Sequence, residues 1–294
     1  MTTKTYKLDE NVLAFTISRH AWGNRKKADK NKMETDMDKK MLNATKKLLD
    51  SEEWKDVVHH LSGTKAWVIN HSMPSFFLKG TYLFKKEMVE EVERYIQHRR
   101  EELTVLVERF IDAYELQIEM AKDLLKGQFK RSDYPSRQYL RQAFGTTTRW
   151  LAFDVPKGLP KELYEAEKKK TQEMWQEAAE QITMALRESF LKLISHLTEK
   201  LNSGKDEKKI FRDSMIDKIN AFIDNFQMRN LTNDTQLANL VTQAKEIISG
   251  VDADDLRNSN RLKNAIRLKF NRIEKELDGM IEIKKVRKFD FDEE

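Results

Sequence analysis

Two clusters of cations carry the plainest chemistry in this sequence. Arg25, Lys26, Lys27, Lys30 and Lys32 crowd the segment that follows Trp22, and Arg257, Arg261, Lys263, Arg267, Lys269 and Arg272 punctuate a later helical stretch. Cations that neutralise phosphates, beside an aromatic ring that can stack on an unpaired base, are what single-stranded nucleic-acid binding requires. The ordinary alternative for either cluster is a solvated face, and the second also holds Glu274 and Glu276. The candidate contacts to nucleic acid or a protein partner are therefore Trp22, Arg25, Lys26, Lys27, Lys30, Arg257, Arg261, Arg267 and Arg272.

Other chemistry is hard to place. Ser203-Gly204-Lys205-Asp206 lacks both the upstream glycine and the following hydroxyl of a phosphate-binding loop. The nucleophile-elbow and His-Glu-x-x-His patterns are missing as well. His59 and His60 are adjacent, so on a helix they point roughly 100° apart and cannot grip one metal as an i, i+4 pair would. His20, His71, His98 and His196 stand alone, and the carboxylate pairs Glu90-Glu91 and Glu101-Glu102 sit within charged helix faces. The chain has no cysteine, which removes disulfides, thiolate metal sites and a Cys nucleophile together. The expectation is a non-enzymatic protein with no catalytic residue, no cofactor and no metal.

The elements that must position these residues are mostly helical. Charged residues make up 35% of the 294, against nine Gly and four Pro, a balance that favours a few long helices over many strands. Val12 to Ser18 alternates as a strand, and Trp22 to Lys32 reads as a polar loop. The stripe Met37, Met41, Leu42, Thr45, Leu48, Leu49, continued by Trp54, Val57, Val58 and Leu61, predicts two short helices between Glu34 and Leu61. The aromatic-rich connection from Gly63 to Phe84 is expected to pack down on them. Lys85 to Lys126 contains neither Gly nor Pro and carries a regular apolar stripe, so it predicts one helix of roughly 60 Å ending before Gly127.

Beyond it, Arg137 to Phe144 predicts a short helix, Thr146 to Val155 a second strand, and Lys161 to Leu201 a second long helix. Segments 207–226, 234–248 and 258–277 predict shorter helices, and Met280 to Phe289 a short strand before an acidic tail. The fold class that follows is mainly α: two long antiparallel helices, coiled-coil-like, with a small two- or three-stranded β element and a C-terminal helical region. Three segments are expected: 1–84, with the N-terminal strand, basic loop and short helices; 85–203, a long helical hairpin with a strand-containing connection near 132–160; and 204–294, helical with a basic last helix. No apolar run approaches the roughly 20 residues needed to span a bilayer, and residues 1–10 lack the apolar segment of a signal peptide, so a cytoplasmic address without a membrane partner is expected.

Several segments, in order, resemble an uncharacterised family common in bacteriophages and found in proteobacteria, a domain of unknown function. They are the first strand leading into Ala21-Trp22-Gly23-Asn24-Arg25-Lys26-Lys27; Ser132-Asp133-Tyr134-Pro135-Ser136 with Leu140 and Phe144; Ile210-Phe211-Arg212-Asp213-Ser214; Asn230-Leu231-Thr232 with Asp234; and Asp255-Leu256-Arg257. The family brings no catalytic residues. Some bacterial members neighbour MoxR-type AAA+ ATPases and von Willebrand A-domain proteins, so the resemblance implies an accessory or adaptor role, in the host cytoplasm if the chain is phage-encoded. The functional expectation is an interaction protein with a protein partner or a homo-oligomer. The alternative is a nucleic-acid-binding protein using the clustered Lys and Arg with Trp22.

Overall fold

The computed structural model describes residues 8–202, 214–251, 256 and 259–289. It is mainly α with a small antiparallel β element. The chain divides into two discontinuous compact units: unit 1 comprises Met1–Ala14, Asn70–Glu87 and Leu151–Glu294, and unit 2 comprises Phe15–Ile69 and Met88–Trp150. β1 (Val12–His20) is cut by the division after Ala14. It lies in a four-stranded sheet of order β4-β5-β1-β6, with β4 at Met73–Pro74, β5 at Thr81–Lys85 and β6 at Gly145–Leu151. β4 and β5 pair antiparallel, Met73 opposite Leu83 and Pro74 opposite Tyr82.

Unit 2 is organised by α3 (Val89–Leu125, 37 residues), which no Gly or Pro interrupts. Its Leu103, Val107, Phe110, Ile111, Tyr114, Ile118 and Ala121 repeat at three- and four-residue steps and are all buried. They meet Val57 and Leu61 of α2 (Glu52–Asn70), Leu140 of α4 (Arg137–Ala143), and Trp22, Leu48, Leu49 and Tyr134 from the connections. α2 starts where Ser51 caps it: the Ser51 hydroxyl accepts from the Trp54 amide at 3.1 Å and donates to Glu53 at 2.8 Å. Next to the helices, β2 (Arg25–Lys27) and β3 (Thr45–Lys47) form an antiparallel ribbon with Arg25 opposite Lys47, Lys26 opposite Lys46 and Lys27 opposite Thr45.

That ribbon overturns the first of the two short helices expected between Glu34 and Leu61. No α-helix occupies residues 34–50. Short polar side chains take the local amides instead: Thr35 Oγ1 accepts from Met37 N at 3.2 Å and Asp38 Oδ1 from Lys40 N at 2.9 Å, turning the chain where a helix would propagate. Farther along, the buried Asn24 amide accepts from Leu49 N and donates to Leu49 O, both at 2.7 Å, which fixes Leu48 and Leu49 in extended chain with their side chains in the core. Met37 and Met41, placed on an apolar stripe by their spacing, are 56% and 79% exposed.

Unit 1 holds α1 (Leu8–Asn11), α5 (Lys161–Leu201, 41 residues), α6 (Ser214–Arg229), α7 (Thr235–Ile248) and α8 (Asn260–Phe289). Phe190, Ile194, Phe226, Leu237 and Phe270 are among its fully enclosed core residues, and Phe190 stacks on Phe222 at 4.9 Å. α5 and α8 run antiparallel: Arg187 donates to Met280 O, Thr198 to Glu274, and Arg267 to Asn202 just past the end of α5, so positions fall along α8 as they rise along α5. An antiparallel pair of long helices is present, but it joins α5 to α8 and not, as expected, the helices of 85–126 and 161–201; the α3 stripe is covered by elements of its own unit. The expected strand at Met280–Phe289 is the end of α8. Phe270, Ile273, Leu277 and Ile281 step by three and four and are all buried, so Ile281 continues a helical face rather than an alternating one.

Candidate functional site

The basic segment after Trp22 becomes the outer strand pair of unit 2. Arg25, Lys26 and Lys27 are all exposed on β2. Successive residues of a strand point to opposite faces, so Arg25 and Lys27 share one face of the ribbon with Lys47, and Lys26 shares the other with Lys46. Lys46 is buried, ion-paired with Asp133 at 2.6 Å and donating to Gln128 O at 2.5 Å, so its charge is neutralised inside the unit. Lys47 lies at the surface and bonds Asp50, which Lys55 also approaches at 3.8 Å; the two cations hold the Asp50 carboxyl below its usual range, the bond from Lys47 contributing most. Among the described residues no carboxylate lies in ion-pair reach of Arg25, Lys26 or Lys27. Lys30 opens a 3-10 turn, Lys30–Lys32, capped by Asp29 and half-buried at its first residue.

Trp22 does not serve this surface. It is 7% exposed, its ring roughly parallel to Phe110 at 6.3 Å and perpendicular to Tyr114 at 6.2 Å, so it is enclosed in the unit 2 core and no base can stack on it. Trp54 takes the outward position. Its indole Nε1 donates to Trp22 O at 3.3 Å, and it lines an open hollow of about 330 Å³ together with Gly23, Asn24, Arg25 and Lys47. Sequence reasoning missed Trp54, Lys46 and Lys47; the available signal was the Thr45-Lys46-Lys47 run, which reads as a second cationic strand once Arg25-Lys26-Lys27 is taken as the first.

A second surface lies on the outer face of α3. Leu116, Met120 and Leu124 recur at i, i+4, i+8, running from the side opposite the buried stripe round to its flank, and are 67%, 52% and 73% exposed. Val105, on the same side, is exposed too. Met120 and Leu124 continue into a hollow of about 180 Å³ completed by Leu48, Leu49, Ala121 and Leu125, with Lys47, Asp50 and Gln117 at its polar margin. One side of the helix thus presents an apolar ridge with a partly apolar groove alongside it.

The second basic cluster lies in unit 1. Arg261 and Arg272 are exposed on α8, Arg267 is half-buried and donates to Asn202 Oδ1 at 2.8 Å, and Arg257 lies outside the described residues. The two clusters therefore belong to different units, and Arg267 is spent on the α5 terminus. The Asn230-Leu231-Thr232 and Asp234 segment is structural. The Arg187 guanidinium donates to Asp234 through Nε at 2.8 Å and Nη2 at 3.2 Å, with side chains 9% and 4% exposed. Asp234 also caps α7 by accepting from Leu237 N at 3.1 Å, Asn230 Oδ1 accepts from Asp234 N at 2.8 Å, and Thr232 bonds Thr183 at 3.0 Å.

His60 is likewise structural. Its Nε2 donates to Arg99 O at 2.8 Å, and Arg99 returns a bond to His60 O at 3.1 Å. Burial pushes its pKa below the ordinary histidine value. Among the described residues no group of three or more His, Asp or Glu could hold a metal ion, and no helix is long and apolar enough to cross a membrane. No family model, curated protein or solved structure matches the chain.

Proposed function

We propose that this chain is a non-enzymatic interaction protein that pairs with a second copy of itself through the outer face of α3. The observation that carries the reading is the exposed ridge Leu116, Met120, Leu124 beside a groove walled by Leu48, Leu49, Ala121 and Leu125 and edged by Lys47, Asp50 and Gln117. A surface offering both a ridge and a groove is self-complementary: a two-fold axis seats the ridge of each copy in the groove of the other, the geometry of an isologous dimer. The accessory role implied by the family resemblance agrees with a protein that works by contact.

The association is weak by this account. Burying a large apolar side chain contributes about 1.5–3 kcal/mol when it starts fully exposed, so six side chains that start about 60% exposed supply roughly 5–10 kcal/mol. Lost rigid-body freedom opposes this by about 4–15 kcal/mol. Sedimentation of the full chain over a range up to about 100 μM is the suitable test. The expected result is a concentration-dependent rise from the 34.8 kDa chain toward twice that mass, abolished by Leu116→Glu with Leu124→Glu. A wild-type chain that stays monomeric throughout contradicts the proposal.

A further inference from the structure

We infer that the Arg25, Lys27 and Lys47 face of the β2–β3 ribbon, with the hollow beside Trp54, is a binding site for single-stranded nucleic acid. The first observation is the register. Arg25 stands directly opposite Lys47 and Lys26 opposite Lys46, and like charges facing each other across strands destabilise a sheet. On the inner face the conflict is relieved by Asp133 against Lys46. On the outer face only Asp50, two-thirds exposed, answers Lys47, and nothing among the described residues answers Arg25 or Lys27. Two aligned cations without a protein counter-charge form a place for an external anion.

The second observation is the aromatic. Lysines on an exposed edge can serve simply to keep other strands from pairing with it. That purpose explains the charges but not the hollow of about 330 Å³ that Trp54 walls at one end of the same face, next to Arg25 and Lys47. The indole is held by its bond to Trp22 O and by packing on the unit 2 core, so it is positioned before any ligand arrives. A flat ring beside paired cations takes a base on the ring and its phosphates on the cations. Only an unpaired base can reach the ring, which selects single strands over duplex. Arg25 and Lys27 lie two strand residues apart, about 6.8 Å, so they contact different phosphates along the backbone.

Lys47 lines both this hollow and the groove beside α3, so the two surfaces adjoin, and Arg25 and Lys27, which do not line that groove, carry the test. The test is fluorescence anisotropy of a labelled deoxythymidine oligonucleotide with the full chain, from about 50 to 200 mM salt, alongside the matching duplex. Three phosphate contacts predict a slope of log K against log salt of roughly −2, and Arg25→Gln with Lys27→Gln reduces it to about −0.7. Trp54→Leu weakens binding roughly 5- to 100-fold without changing the slope. Asp50→Asn releases Lys47 and tightens binding. Because Trp54 also touches the core, the double variant of the two exposed cations decides the matter if Trp54→Leu fails to fold. No binding at about 50 mM salt, equal affinity for duplex, or a double variant that binds like wild type each overturns the inference.

Discussion

Replacing Asp234 should loosen unit 1 more than any surface change, and the structure says by how much. Asp234 does two jobs: its carboxylate takes two bonds from Arg187 in a pair that is 9% and 4% exposed, and its Oδ1 caps α7. Asp234→Asn keeps the shape and the cap, since Asn and Asp cap equally well, but strands the Arg187 charge; breaking a buried pair from one side costs about 3–5 kcal/mol. Asp234→Ala removes the cap too, adding about 1 kcal/mol. With a urea dependence of about 2 kcal/mol per M, the Asn variant unfolds about 1.5–2.5 M earlier. Arg187→Met combined with Asp234→Asn should cost less than the two singles together, because the stranded charge is gone. Trp175 is the single tryptophan of unit 1 and is 4% exposed, so fluorine-labelled tryptophan NMR in urea reads this unit through one resonance. An Asn variant whose Trp175 midpoint moves by less than about 0.3 M would refute the reasoning.

Two other perturbations address unit 2. His60 is held neutral by burial, its pKa lowered, so between its folded value and the unfolded value near 6.5 the unfolded chain binds more protons; stability is unaffected above that range and falls as pH drops into it. Thermal unfolding of wild type between pH 8 and 5 should show this loss, and His60→Gln should flatten it; identical pH profiles would contradict the assignment. Asn24→Ala removes both bonds to Leu49 and leaves a buried amide and carbonyl unpaired, costing about 2–4 kcal/mol, with faster hydrogen exchange at Leu49 as the direct reading. An unchanged Leu49 exchange rate would show that the clasp does not fix this segment.

The sequence made some of this fold legible because local signals and tertiary packing agree. α3 and α5 lack Gly and Pro over their lengths and carry regular stripes, so their existence follows from propensity and period alone. Their partners do not: an apolar stripe records that something covers it, and α8, whose Ile281 and Ile283 also alternate with polar residues, looked like a strand at its end. The 34–50 segment failed for a different reason. Met37, Met41, Leu48 and Leu49 fit a helical period, but Asn24, from across the ribbon, claims the backbone of Leu49, and no periodicity reports a long-range hydrogen bond. For the candidate site, the exposed cations of β2 were readable from charge density, whereas the choice between Trp22 and Trp54 depended on which ring the core enclosed. The α3 ridge was readable in principle: Leu116, Met120 and Leu124 follow an i, i+4, i+8 line outside the stripe that attracted notice.

Because the chain has no cysteine, a single introduced one reports its own neighbourhood without background. The most direct measurement of the pairing proposed for α3 is therefore oxidative cross-linking of Leu116→Cys and Met120→Cys, each alone in the full chain, with Leu268→Cys as an exposed control on α8. A disulfide forms only where Cα atoms come within about 7 Å, so residues near a two-fold axis link and distant ones do not. The account predicts a covalent dimer from at least one α3 variant, lost on adding Leu124→Glu, and none from Leu268→Cys. Equal linking at all three positions, or none at Leu116 and Met120 at protein concentrations of about 100 μM, would contradict it.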